Sequence, residues 1–185
     1  MFLDIVINTI DEYGMIKKDD CITAALSGGA DSVCLLIILK ELSDKYSFTL
    51  DALHINHCIR GKESDRDEEF CRNLCKKYDI PLTVIRTDVP AAAAESKKSL
   101  EETARDIRYK AFEKHAGDKG KIETAHTVSD NAETVILNMA RGTGLKGLCG
   151  IPPVRDNIIR PLIDVTRQQI EDYLKSMNQG FVTDS

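Results

Sequence analysis

The chain has 185 residues, 42% apolar and 30% charged, with a formal net charge of −5, which fits one ordinary domain with its own core. No run of 18 apolar residues exists and Asp4 stands where a secretory leader carries basic residues, so a membrane span and a signal peptide are excluded and a cytoplasmic protein is expected. Net negative charge argues against this segment gripping a phosphate backbone unaided; the abrupt stop at Phe181–Ser185 reads as the cut end of a longer protein with a basic module elsewhere.

Taken in chain order, Phe2, Ile5, Val6, Thr9, Ile10 and Tyr13 fall at helical spacing, and Cys21–Leu26 is a short apolar run of the kind a buried strand shows. Val33–Leu42 is apolar almost all round, as in a helix packed on a sheet. Phe48–Ile55 reads as a second strand, and Asp65–Tyr78 as a helix with its buried stripe at Phe70, Cys71, Leu74 and Cys75. Pro81–Arg86 is a third strand, with proline tolerated at its start. The four alanines within Val89–Lys98 read as a mobile connection. Ser99 and Glu102 form a capping box for a helix reaching about Lys114. Lys121–Ala125 is a fourth strand, Ser129–Arg141 a helix with its core face at Ala132, Val135, Ile136 and Met139, and Thr166 and Gln169 cap a last helix through Met177. Regular alternation of strand and helix predicts an α/β fold, a doubly wound and mainly parallel sheet with helices on both faces, as one domain over residues 1–185. Ligands of such sheets bind beyond the carboxyl ends of the strands.

Chemistry-bearing residues follow the strands. After the first comes Ser27-Gly28-Gly29-Ala30-Asp31-Ser32, running directly into a helix. Adjacent glycines allow close backbone approach to an anion, and the helix N-terminus adds unpaired donors and a positive dipole end. Asp31 would repel phosphates unless a cation bridges them, and Mg²⁺ is the expected bridge. There is no Gly-Lys-Ser/Thr of a Walker loop here. Gly142–Gly147 does fit G-x-G-x-x-G, but it follows a helix and is stopped by Pro152-Pro153, so a nicotinamide site is rejected. His54 and Asn56, with His57 on the turn, form an adenosine or substrate-positioning wall at the second strand's end. A zinc site there is rejected for want of partners at fixed spacing. His126 ends the fourth strand, and Asp130 and Glu133 share a face of the next helix, suited to a cationic amino acid or a metal. Arg105 and Arg108, on the helix before, can stabilise negative charge developing on phosphate. Of the six cysteines, Cys21, Cys34, Cys71, Cys75 and Cys149 stand among apolar neighbours, where a reduced thiol behaves as a small hydrophobe.

The loop resembles the SGGxDS pyrophosphatase loop of N-type ATP pyrophosphatases, the PP-loop superfamily with an adenine nucleotide alpha hydrolase-like fold. Those enzymes cleave ATP between its α- and β-phosphates. Beyond the loop, the chain is similar to the tRNA(Ile)-lysidine synthetase family. The matching segments are HINHCIRGKESDRDEEF (54–70), EETARDIRYKAF (101–112), AHTVSDNAET (125–134), RGTGLKGLCGI (141–151), Arg160-Pro161-Leu162 and Asp184-Ser185. One departure is Ser129-Asp130, where many relatives carry two acidic residues.

The resemblance implies ATP and Mg²⁺ as co-substrate and cofactor, with L-lysine and tRNA(Ile) of CAU anticodon as partners. It implies ATP-binding roles for Ser27, Gly28, Gly29, Ala30, Asp31, Ser32, His54 and Asn56, Asp31 also holding the metal. Arg105 or Arg108 would serve the phosphate charge, and Asp130 with Glu133 the lysine. The family's C-terminal tRNA-gripping domains are missing from this sequence, and a homodimer stays open. An ammonium of pKa ~10.4 must lose its proton to attack, a cost of about 4–5 kcal/mol at neutral pH, so a base is required; His126 or a carboxylate fills that role. A tRNA thiolase on the same scaffold and a non-catalytic ATP sensor are the rival readings.

Overall fold

Residues 2–117, 120–143 and 148–183 are described by the computed structural model of the chain. Gly144, Leu145, Lys146 and Gly147 of the glycine loop, and the terminal Asp184-Ser185, lie outside them.

The four predicted strands appear as β1 (Cys21–Ala25), β2 (Thr49–Asn56), β3 (Leu82–Arg86) and β4 (Lys121–Glu123). A short hairpin, β5 (Val154–Arg155) and β6 (Ile158–Ile159), completes one sheet of order β3-β2-β1-β4-β6-β5. Every pairing is parallel except β5 with β6. The helices are α1 (Phe2–Glu12), α2 (Ala30–Tyr46), α3 (Lys62–Lys77), α4 (Val89–Ser96), α5 (Leu100–Ala116), α6 (Val128–Ala140) and α7 (Arg167–Ser176).

The expected doubly wound architecture is present. One face of the sheet is covered by α1, α2, α3 and α7, with Leu35, Leu36, Ile37, Ile38 and Leu39 of α2 at its centre. Each is at most 1% exposed, and burying such a side chain is worth roughly 1.5–3 kcal/mol. On the other face Phe112 and Ala111 of α5 pack on Leu53, Ile122 and Ile158. Strand β1 has β2 on one side and β4 on the other. The connections leaving β1 and β4 therefore diverge, and a crevice opens between them at their carboxyl ends.

Three elements differ from expectation. Val89–Ser96 is a helix, not a mobile link: Asp88 caps it by accepting from Ala91 N at 3.0 Å, and Val89 and Ala93 are buried. Alanine is the best helix former, so four in a row with a cap and two anchors suffice. The apolar stripe of α6 is not a core face, since none of its residues is buried and Ile136 and Met139 are 64% and 62% exposed. No described element buries its apolar side; helical spacing fixes which side chains share a face, not what packs on them. Among the cysteines, Cys34, Cys71 and Cys75 are buried as expected, whereas Cys21 and Cys149 are exposed.

Candidate functional site

Chain leaving β1 turns through Gly28, whose φ is +96°, a conformation that L side chains rarely adopt. A Cβ there would also sit 3.2 Å from Val182 Cγ2 and 3.4 Å from Cys71 Sγ. Within the turn, Ser32 Oγ accepts from the amides of Ser27 and Gly28, each at 3.2 Å, and donates to Gly29 O at 3.0 Å. Ser27 Oγ accepts from Gly29 N at 3.3 Å. The two hydroxyls, read from sequence as phosphate donors, thus tie the turn to itself, and Ser32 is buried. Helix α2 has no side-chain cap, so its first amides stand unpaired at the crevice, as an anion site requires.

Asp31 opens α2. Its Oδ2 accepts from Arg167 Nη1 at 2.8 Å, while Oδ1 is buried without a hydrogen-bond partner. Burial raises its pKa, Arg167 opposes that, and the nearby charge of Asp130 raises it again.

At the end of β2, His54 Nδ1 lies 2.8 Å from Leu26 O. A carbonyl only accepts, so Nδ1 carries the proton and Nε2 is a bare acceptor, buried and unpartnered. Burial holds His54 below its ordinary pKa, which keeps the ring neutral. His57 is lowered likewise, by burial and then by Arg108 and His54. Asn56 is differently engaged. Its amide donates to Glu68 Oε2 at 3.0 Å and Ser64 O at 3.3 Å, and its oxygen accepts from Cys58 N. It shapes the wall and has little hydrogen-bonding capacity left for a ligand.

Beyond β4, His126 Nδ1 lies 3.0 Å from Thr124 Oγ1. Burial and then the Arg160 guanidinium lower its pKa, so it is a neutral imidazole at neutral pH. Asp130 Oδ2 accepts from Thr127 N and Thr127 Oγ1 at 2.7 and 2.8 Å, fixing the start of α6. From α5 the exposed Arg105 and Arg108 reach the same space, Arg105 lying over the Tyr109 ring.

These elements enclose a cleft of about 430 Å³. Ser27, Gly29, Asp31, Ser32, His54, Asn56, Arg105, Arg108, His126 and Asp130 all line it. Gly28 and Ala30 stand behind its surface, as buried members of the turn. Glu133, one turn further along α6, is not brought in: it is exposed and outside the lining.

Three residues near the cleft had no role in the sequence reading. Arg160 is buried, donates to Pro152 O at 2.7 Å and is the charge nearest in effect to His126. Arg167 pairs with Asp31 from 136 residues away. Glu68 is buried and bonds Asn56, Arg72 and Arg86 together. Arg160 and Glu68 stand within motifs named above, and Glu68 with Arg72 has helical i,i+4 spacing; the pairs Arg167–Asp31 and Glu68–Arg86 have no local spacing to reveal them.

The sequence profile of the PP-loop domain family matches residues 4–185, and so takes in every element of this cleft. The chain belongs to the PP-loop domain family. This PP-loop domain is 47% identical over 175 residues to the tRNA(Ile)-lysidine synthase of Caldanaerobacter subterraneus subsp. tengcongensis, covering 94% of the chain and 38% of that protein. Against the tRNA(Ile)-lysidine synthase of Clostridium acetobutylicum it is 49% identical over 171 residues, covering 91% and 37%. With that of Bacteroides thetaiotaomicron the identity is 42% over 182 residues, covering 97% and 42%. The PP-loop domain therefore spans about two-fifths of these relatives' length. Among solved structures it superposes on the U34-tRNA thiolase NcsA from Methanococcus maripaludis with a TM-score of 0.75 at 19% identity, covering the whole chain and 65% of the thiolase. The NH3-dependent NAD synthetase from Campylobacter jejuni superposes at 0.63 and 17%, with all of the chain and 80% of the synthetase covered. Those two likenesses show the shared fold.

Proposed function

We propose that this PP-loop domain is the adenylating part of a tRNA(Ile)-lysidine synthase. In this reading ATP activates C2 of the wobble cytidine in tRNA(Ile) of CAU anticodon, and L-lysine then replaces the activated oxygen, giving lysidine, AMP and pyrophosphate. The observation that carries it is 42–49% identity to proteins of that name, over 91–97% of the chain.

Cytidine O2 attacks the α-phosphorus of ATP, and pyrophosphate leaves. The unpaired amides opening α2 hold the phosphates, and Arg105 and Arg108 balance the negative charge that accumulates on the α-phosphate and the departing pyrophosphate. His54 Nε2, a bare acceptor, receives a hydrogen bond from a ligand donor such as a ribose hydroxyl or a base amine. The ε-amine of lysine then attacks C2, and AMP departs with the former O2. Asp130 uses one oxygen to cap α6, and its other oxygen is proposed to receive the lysine ammonium. Neutral His126 takes the proton as the amine attacks; burial and Arg160 make it a modest base, which suits transient rather than permanent protonation.

The residues fit Mg²⁺: Asp31 Oδ1 is buried and unpartnered, and a second carboxylate lies close enough to raise its pKa. Among the described residues no three His, Cys, Asp or Glu side chains converge as a metal set, so the remaining positions would fall to phosphate oxygens and water, as this ion prefers. When bound, Mg²⁺ supplies charge neutralisation for the triphosphate. A sulfur-transfer alternative is disfavoured by Cys71 and Cys75, whose thiols burial pushes up, Cys75 to about 11, away from the thiolate such chemistry needs.

The test is AMP release by the full-length protein with ATP and the tRNA, with and without lysine. Release that depends on lysine supports the reading; ATP binding with no turnover under either condition points to a sensor. His126→Ala is expected to leave pyrophosphate release near wild type and to slow lysine transfer by about 10²-fold or more, the scale of a lost general base. Equal loss in both half-reactions removes the base assignment.

A further inference from the structure

The partner of Asp31 comes from the opposite end of the chain. Arg167 donates from Nη1 to Asp31 Oδ2 at 2.8 Å and from Nε to Glu171 Oε1 at 2.9 Å. A planar guanidinium can bridge two carboxylates in this way, and an ammonium cannot do so in the same geometry. The backbone beneath Arg167 is well fixed. Thr166 and Gln169 form a capping box, and Ile170 and Leu174 of the same helix are fully buried against the core. Arg167 is not among the residues lining the cleft. A second contact acts on the same turn from the same end of the chain: Val182 N donates to Gly28 O at 2.9 Å.

We infer that Arg167 is a positioning residue for the phosphate loop, holding one oxygen of Asp31 on α7 so that the other is presented to the cleft. The inference rests on the proposal that Asp31 serves the nucleotide's cation. Without Arg167 the carboxylate is free to rotate, and Oδ1 is no longer held toward the cleft for a cation. The residue acts through Asp31 and touches neither phosphate nor the reacting atoms. Helix α7 and the segment through Val182 thereby brace the loop from behind.

Isothermal calorimetry of ATP binding by this chain, across a Mg²⁺ series and in EDTA, separates the roles. Arg167→Met is expected to raise the Mg²⁺ concentration for half-maximal ATP binding by about 10–100-fold, as when a partner of a metal ligand is lost, while affinity in EDTA stays within about twofold. Arg167→Lys, which keeps the charge and loses the bridge, falls between Met and wild type. The Lys variant carries the test if thermal unfolding shows that the Met variant has lost its fold. An equal fall in EDTA shows direct phosphate contact and overturns the inference, as does an unchanged Mg²⁺ dependence in both variants. Asp31→Asn is run alongside: if it leaves the Mg²⁺ dependence of wild type unaltered, the assignment of Asp31 itself has failed, whatever Arg167 does.

Discussion

Asp31→Asn is expected to lower ATP-dependent pyrophosphate release by about 10²–10³-fold, the scale for removing a group aimed at charge in the transition state. Asparagine is nearly isosteric, and the bonds that hold the turn run through Ser27, Ser32 and Gly29, so the loop keeps its shape. What is lost is the charge on Oδ1, the buried oxygen that no group among the described residues satisfies. Burial of an unsatisfied carboxylate oxygen is unfavourable, and its persistence beside the cleft is explained by a cation that completes it. Single-turnover pyrophosphate release, with the substitution made in the full-length protein, is the measurement. Turnover within about tenfold of wild type would remove Asp31 from the chemistry.

Glu68→Ala is expected to cost about 3 kcal/mol of stability, the lower end of the range for breaking a buried ion pair. Glu68 is 4% exposed, but Arg72 and Arg86 are 50% and 59% exposed and can turn to water when it is lost. Asn56 has no such escape, being buried at the cleft wall. Burial alone would raise the Glu68 pKa, yet hydrogen bonds from Arg86, Asn56 and Arg72 outweigh it and bring the carboxyl down to about 2. A folded-state pKa below the unfolded value of about 4.3 means stability that is fully present above that pH and lost as pH falls toward 2. Wild type should therefore shed roughly 3 kcal/mol between about pH 5 and pH 2 through this group, and Glu68→Gln should lack that part of the acid dependence. Urea unfolding of both proteins at pH 7 and pH 3 reads it. Parallel acid curves would show that ionisation of Glu68 contributes nothing to the pH dependence of stability, contradicting this account.

Much of the scaffold was legible in the sequence because local pattern and tertiary demand coincide there. Strand β1 is a short apolar run, β2 and β3 carry apolar residues within longer strand-forming stretches, and Val33–Leu42 of α2 reads as apolar almost all round because it is buried against the sheet. Helix α6 misled for the converse reason: spacing shows which side chains share a face, not whether anything covers it, and Ile136, Leu137 and Met139 stay exposed. The hairpin of β5 and β6 is too short for period-2 alternation to register, and Asp156 turns it at a φ of +55°.

The cleft was legible in its types of residue and their strand-end positions. Its internal bonding was not. Asn56 and Ser32 look like ligand donors in sequence and prove to be engaged within the protein, while the His54 tautomer follows from a carbonyl at Leu26 that no motif displays. Long-range pairs such as Arg167 with Asp31, or Glu68 with Arg86, depend on topology, and the sequence marks neither.

The central claim is that the Ser27–Ser32 turn holds a nucleotide's phosphates with Asp31 beside the cation. A crystal structure of the chain with a non-hydrolysable ATP analogue and Mg²⁺ tests it most directly. The prediction is electron density for the triphosphate against the opening amides of α2, with the ion on Asp31. A triphosphate bound elsewhere, or an empty turn at saturating analogue, would contradict the account.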